Sequence, residues 1–195
     1  AKPDPDKVRA AMLDGVRQLG LAALPWSDDL VRWRERIGFL RRHAGEDWPD
    51  LSDAALLASL ADWLGPYLDG VSRRDHLARI DLTAALKALV PWEKQREVER
   101  LVPTHVEVPS GSRVVIDYAN PDEPTLSVRL QEMFGLTETP RIADGKVPLT
   151  IHLLSPARRP VQVTRDLASF WANGYKAVKS ELKGRYPRHY WPDDP

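Results

Sequence analysis

The chain contains no cysteine, which excludes disulfides, thiolate metal sites and a cysteine nucleophile. That suits a reducing compartment, so a cytoplasmic location is expected. Net charge is also missing, because 28 Lys and Arg balance 28 Asp and Glu. A nucleic-acid binder whose whole surface is basic is thereby excluded, and any such contact has to be local, within a Debye length of about 8 Å at physiological salt. No apolar run approaches the roughly 18 residues that span a bilayer, and the opening Ala1-Lys2-Pro3-Asp4-Pro5-Asp6 is polar, so no membrane partner is expected. The chain does not begin with Met, and we expect it to be cut from something larger. A glycine-rich loop ending in Lys and Ser or Thr is absent, as are an Asp-Glu-x-His run and a Gln-x-x-Gly-Arg-x-x-Arg run. Those features cradle nucleotide phosphates, hold magnesium and supply arginine fingers, so nucleotide hydrolysis cannot reside in these residues alone.

Other catalytic chemistry is equally thin. His43, His76, His105, His152 and His189 never stand at i and i+4, so no helical zinc pair is readable. His105-Val106-Glu107 resembles half of a zinc-deaminase signature, but the cysteines that signature requires do not exist here. Asp117 and Glu107, on neighbouring strand candidates, could form a carboxylate pair, against the simpler reading of two solvated strand positions.

What is present is 195 residues, 43% of them hydrophobic, enough for one or two units with real cores. The first hundred read as helices separated by Pro and Trp. Ser27 stands as an N-cap ahead of Asp28 and Asp29, two acids suited to the positive end of a helix dipole. Leu30, Trp33, Ile37 and Leu40 then recur at three- and four-residue steps, while Arg32, Arg34, Arg36, Arg41 and Arg42 fall largely elsewhere. A second helix is expected after Ser52 (Leu56, Leu57, Leu60, Leu64), stopping at Gly65-Pro66, and shorter ones from Asp81 and from Pro91 to Leu101. Seven tryptophans are many for this length, and those near helix ends are expected to fill contacts between helices.

At Pro103 the apolar period changes from 3.6 to 2. Strands are expected at His105–Val108, Arg113–Tyr118, Thr125–Leu130, Val147–Leu154 and Val161–Val163, with turns at Pro109-Ser110-Gly111-Ser112 and Asn120-Pro121-Asp122-Glu123-Pro124. Five strands this short favour a small curled or closed barrel, of which the OB-fold is the common five-stranded example. Thr164 is expected to cap a last helix carrying Leu167, Phe170, Trp171, Val178 and Leu182. The expected fold is therefore α+β: an N-terminal helical bundle over residues 1–102, a small five-stranded OB-like β-barrel over 103–164, and a C-terminal helix with a basic, aromatic tail over 165–195.

The charge is sorted along the chain. Between Pro156 and Arg188 stand Arg158, Arg159, Arg165, Lys176, Lys179, Lys183, Arg185 and Arg188 against only Asp166 and Glu181, a local excess of about +6. Tyr186, Tyr190 and Trp191 are interleaved with the last of these. Guanidinium groups pair with phosphates and stack on bases, and flat rings stack on unpaired bases, so this mixture suits a surface that holds a single strand. We take Arg158, Arg159, Arg165, Lys176, Lys179, Lys183, Arg185, Tyr186 and Arg188 as candidate nucleic-acid-binding residues, chosen on charge and aromaticity. The competing reading for Tyr186 and Trp191 is a tail strapped across the protein's own core. Arg165, beside a helix N-terminus, is disfavoured by the dipole and is expected to be held by Asp166-type pairing or by an anion.

The wording of this region carries a resemblance. Leu153-Leu154-Ser155-Pro156-Ala157, Arg159-Pro160, Gln162-Val163-Thr164, Asp166-Leu167, Phe170-Trp171, Lys183-Gly184-Arg185-Tyr186-Pro187, Trp191-Pro192 and Asp194-Pro195 closely resemble the C-terminal end of bacterial HrpB-type ATP-dependent helicases of the DExH-box superfamily. Leu24-Pro25-Trp26-Ser27, Val102-Pro103-Thr104, Val108-Pro109-Ser110-Gly111 and Leu130-Gln131-Glu132-Met133-Phe134-Gly135-Leu136 extend the likeness over most of the chain. The resemblance implies an accessory region with an OB-like domain that helps guide single-stranded RNA (or DNA), partnered by the motor domains of the same parent chain. It also implies that ATP and magnesium belong to those motor domains, N-terminal to Ala1, with no cofactor in this stretch. The rival is a protein-interaction or scaffolding module whose Arg-rich helix from Leu30 to Arg42 and tail bind the motor or an acidic partner.

Overall fold

Asp4 starts the first helix, α1 (Pro5–Leu19), by accepting from the Asp6 N–H at 3.0 Å, with Pro5 at the position where a missing N–H costs nothing. The computed structural model describes residues 4–195, apart from the side chain of residue 74. The polar opening Ala1-Lys2-Pro3 lies outside the described residues. The chain divides into two compact units, one reaching to Glu97 and one running from Val98 to Pro195.

The first unit is helical. Helix α2 (Asp28–Ala44) begins as expected, with Ser27 Oγ accepting from the Leu30 N–H at 3.1 Å. It buries Leu30, Trp33, Ile37 and Leu40, but also Phe39 and Arg36, so more than one side of the helix is covered. The helix expected after Ser52 is cut in two, α3 (Asp53–Ala58) and α4 (Leu60–Leu64). At the break the Ser59 hydroxyl donates to the Ala55 carbonyl at 2.9 Å, a side-chain bond that competes with the helix ladder. Helix α5 (Leu82–Lys87) is capped by Asp81, and α6 is Trp92–Leu101. The tryptophans do join helices and turns: Trp63 Nε1 donates to the Leu56 carbonyl at 2.9 Å and Trp26 Nε1 to that of Leu21 at 2.8 Å.

The arginines of α2 are less free than their spacing implies. Arg34 donates to the Leu51 carbonyl at 2.8 Å, pairs with Asp53 at 2.6 Å and lies 5.1 Å over the Trp26 ring. Arg41 donates to the Trp48 carbonyl at 3.1 Å, and Arg36 is buried and engaged with its surroundings.

In the second unit, strands β1 (His105–Glu107), β2 (Arg113–Asp117), β3 (Thr125–Arg129), β6 (Thr150–Leu154) and β7 (Pro160–Thr164) form one five-stranded sheet in the order β1-β2-β3-β6-β7. The closed OB-like barrel expected from strand count and length is not what forms. The sheet is mixed and open, with β1 and β7 as edges and β3 parallel to β6. A parallel neighbour needs a crossover, and the chain makes it through a 3-10 turn (Leu130–Met133) and a separate two-stranded hairpin, β4 (Arg141–Ile142) with β5 (Val147–Pro148). That hairpin takes Val147 and Pro148 from the long strand expected over Val147–Leu154.

Register sorts the faces. Ile116, Leu126 and Ile151 lie in one row and are buried, with Val128 and Leu153 beside them. The next row, Val115, Ser127, His152 and Val163, points the other way and leaves both valines exposed. Glu107 sits opposite Arg113, and Asp117 opposite Thr125, so these two acids form no carboxylate pair. The Pro109–Ser112 turn forms as expected around Gly111 at φ +92°, a conformation that favours glycine. Thr164 is not the helix cap. It ends β7, and Asp166 caps α7 (Leu167–Ser169) by accepting from the Ser169 N–H at 3.0 Å. A π turn (Phe170–Gly174) then leads into α8 (Tyr175–Arg185).

Candidate nucleic-acid interface

The candidate cations fall into four groups. Arg158 and Arg159 stand at the exposed tip between β6 and β7, where the Arg158 N–H donates to the Ser155 carbonyl and the Ser155 N–H to that of Arg159, both at 2.8 Å. Arg158 adopts φ +65°, a left-handed turn conformation. Arg165 is not aimed at solvent alone. Its Nε donates to the Thr150 hydroxyl at 2.9 Å and its terminal nitrogen lies 3.5 Å from Glu123, so an acid from the β2–β3 turn offsets the adverse helix end.

Lys176, Lys179 and Lys183 recur at three- and four-residue steps on α8 and line one open cavity of about 370 Å³ with Tyr175, Ser180 and Asp193. The spacing places them on one helix face. Into this row the chain sends its own carboxylate. Lys179 donates to Asp193, whose side chain is 98% exposed whereas that of Lys179 is 16% exposed. The Lys179 ammonium, with longer-range help from Lys183 and Lys176, holds the Asp193 carboxyl below its ordinary range. The lysine row therefore already stabilises an oxyanion.

Arg185, Tyr186 and Arg188 lie where α8 gives way to the tail. Both arginines are exposed and Tyr186 is half-buried. The tail then turns inward: Trp191 is 8% exposed, donates from Nε1 to the Tyr186 carbonyl at 2.9 Å and sets its ring edge-on to Phe134 at 6.4 Å. Tyr175 donates to the Pro192 carbonyl at 2.8 Å, which sets Asp193 over the lysines. Trp171, in the π turn that leads into α8, donates from Nε1 to the Leu136 carbonyl of the crossover at 2.7 Å.

Burial, then the Asp193 charge and Tyr190, push the Tyr175 hydroxyl up to about 12 from 10.0. A pKa raised on folding contributes stability that is intact below the unfolded value and is lost as pH climbs through the folded one. Stability of the second unit is therefore expected to fall between about pH 10 and 12, with a shallower fall in Tyr175→Phe. Urea midpoints measured across that window check it, and parallel losses in the two proteins would refute it.

Several residues at this surface carry no sequence signal of their own. Asp193 reads as a solvated tail acid, and Ser110, Arg129, Gln131 and Glu132 are scattered polar residues until the turn, the crossover and the tail meet. Among the described residues, no group of three or more His, Asp or Glu could hold a metal ion, and no helix is long and apolar enough to cross a membrane.

The fold and the site define a helical unit followed by a mixed-sheet unit that ends in a basic helix and an aromatic strap. Residues 63–195 match the family described as "ATP-dependent helicase C-terminal", of the HrpB type, and the chain belongs to that family. It is 45% identical over 196 residues to the ATP-dependent RNA helicase HrpB of Escherichia coli (strain K12), covering 100% of this chain and 24% of that protein. The crystal structure of the E. coli DExH-box NTPase HrpB superposes with a TM-score of 0.91 at 45% identity, over 100% of this chain and 24% of that one. A second crystal structure, of the Escherichia coli DEAH/RHA helicase HrpB, gives 0.79 at 42% identity over 98% and 24%. The chain thus spans about a quarter of the length of these relatives.

Proposed function

We propose that this chain is the accessory module of an ATP-dependent RNA helicase, contributing single-strand contacts and docking to the motor domains of the same parent protein in the cytoplasm. ATP and magnesium act in those motor domains. Within the module, residues 1–102 serve as the helical accessory part, 103–164 as the β part and 165–195 as the basic helix and tail.

The observation that supports this reading is the row Lys176, Lys179 and Lys183, which holds Asp193 as an oxyanion in an open cavity. A phosphodiester offers the same chemistry, and exposed Arg158, Arg159, Arg185 and Arg188 offer further partners. The scaffolding alternative is weakened by the internal duties of Arg34, Arg36 and Arg41 on the helix it relies on.

The test is fluorescence anisotropy with a short labelled single-stranded RNA at low and physiological salt, beside a variant with Arg158, Arg159, Lys183 and Arg185 changed to Ala. Each phosphate contact on a single strand contributes about 0.7 to the slope of log affinity against log salt, so the variant is expected to lose up to about 3 in slope and at least about tenfold in affinity. Asp193→Asn, which removes the internal competitor, is expected to bind more tightly. An absence of binding even at low salt sinks the strand contacts and leaves motor docking as the better account.

A further inference from the structure

A second cavity, of about 380 Å³, opens beside the tail and is lined by Ser110, Arg129, Gln131, Glu132, Phe134, His189 and Tyr190. It draws on the β1–β2 turn, the end of β3, the crossover and the tail, segments that meet only in the folded unit. Its size lies at the small end of the range for ligand sites.

The chemistry of its walls narrows the occupant. Tyr190 is 75% exposed, an unusual state for a large aromatic side chain, and its ring stands at 89° to Phe134 with centroids 6.4 Å apart. Phe134 is itself steadied edge-on by Tyr175 and Trp191, so the aromatic wall is rigid although its outer member faces water. Gln131 donates from Nε2 to His189 Nδ1 at 3.3 Å, while its buried Oε1, an acceptor, and the buried Nε of Arg129, a donor, have no hydrogen-bond partner. A buried acceptor without a donor is costly unless a ligand supplies one.

Glu132 excludes an anion. Burial pushes its carboxyl up, but the Ser112 hydroxyl at 2.7 Å, that of Ser110 at 3.2 Å and Arg129 outweigh burial, so it stays below the ordinary range and is charged at neutral pH. Arg129 is paired with it at 3.5 Å, which leaves the cavity close to neutral. A phosphate has no place there. A flat, neutral ring with both donors and acceptors on its rim does, because it can stack on Tyr190 with that rim toward Gln131 and Arg129.

We propose that this cavity binds one unpaired nucleobase, stacked on Tyr190 with its polar edge toward Gln131 and Arg129. This deepens the strand-contact reading and rests on it for its biological role, with the lysine row taking the backbone and this cavity taking a base.

The experiment is an NMR titration of the whole chain with AMP, CMP, UMP and ribose 5-phosphate, read at the Gln131 side-chain amide and the Tyr190 ring. Alongside it, anisotropy compares a single-stranded RNA with an abasic ribose-phosphate oligomer of equal length. AMP, CMP and UMP are expected to shift both signals and ribose 5-phosphate not at all. Tyr190→Ala should abolish the shifts and Tyr190→Trp should keep them, and the RNA should bind at least about tenfold more tightly than the abasic oligomer. Equal binding of the two oligomers with no shift at Gln131 overturns the base site while the strand reading stands. Shifts from AMP with no binding of either oligomer uphold the base site and overturn the strand reading. Shifts from ribose 5-phosphate equal to those from AMP, or a Tyr190→Ala protein that binds AMP like the wild type, also overturn the base site.

Discussion

Trp191→Ala is expected to lower the stability of the second unit by about 3–5 kcal/mol, the range for truncating a buried Trp or Phe to Ala. Trp191 is the deepest residue of the tail. It holds a 2.9 Å bond to the Tyr186 carbonyl and lies against Phe134, which in turn meets Trp171, Tyr175 and Tyr190. Removing the indole therefore leaves a void beside Phe134 and frees the segment that sets Asp193 over the lysines. Urea unfolding gives the stability change, and amide hydrogen exchange at residues 186–193 reports release of the strap. Trp191→Phe, which keeps an aromatic ring, should lose markedly less. A Trp191→Ala protein destabilised by under about 1 kcal/mol would mean that the tail is an accessory to the fold and not a strap.

Phe39→Ala carries a comparable penalty in the first unit, about 3–5 kcal/mol. Phe39 is 0% exposed and its ring lies 4.3 Å from that of His43, on a side of α2 that the apolar stripe Leu30, Trp33, Ile37 and Leu40 does not include. The phenyl ring cannot be replaced by neighbouring side chains without moving the helix, so most of the lost burial persists as a cavity. Hydrogen exchange along α2 should show the weakened protection. Substitution of the half-buried Arg41, whose work is a part-buried bond to the Trp48 carbonyl, should cost far less. If Phe39→Ala and Arg41→Ala cost the same, α2 is not buried on both sides as described.

The terminal tract shows how far charge counting reaches. It gathered Lys176, Lys179 and Lys183 into the basic tract, and their three- and four-residue steps put them on one helix face whatever surrounds them. It said nothing of Asp193, since an acid ten residues beyond Lys183 reads as solvated until Tyr175 and Trp191 draw the tail back along the helix. Arg165 shows the same limit: the helix dipole required a partner, but the choice of Glu123 rests on the β2–β3 turn reaching the start of α7. In the sheet, period-2 alternation marked the strands and turn chemistry marked their ends. Closure depends on which edges meet, and the parallel pairing of β3 with β6 leaves β1 and β7 unjoined.

Local rules written into the chain thus determined the helices, their Ser and Asp caps, the glycine turn at Gly111, the strand-rich second half and the sorting of cations toward the C-terminus. Each of these is decided within a few residues by sterics, hydrogen bonding or hydrophobic period. Only the tertiary structure decided that α2 is buried on more than one side, that the sheet stays open, that Asp193 occupies the lysine row and that Tyr190 and the buried Oε1 of Gln131 belong to one cavity. Those outcomes need contacts between residues far apart in sequence. Their energies come from burial and from the geometry of side-chain pairs, neither of which composition or spacing specifies.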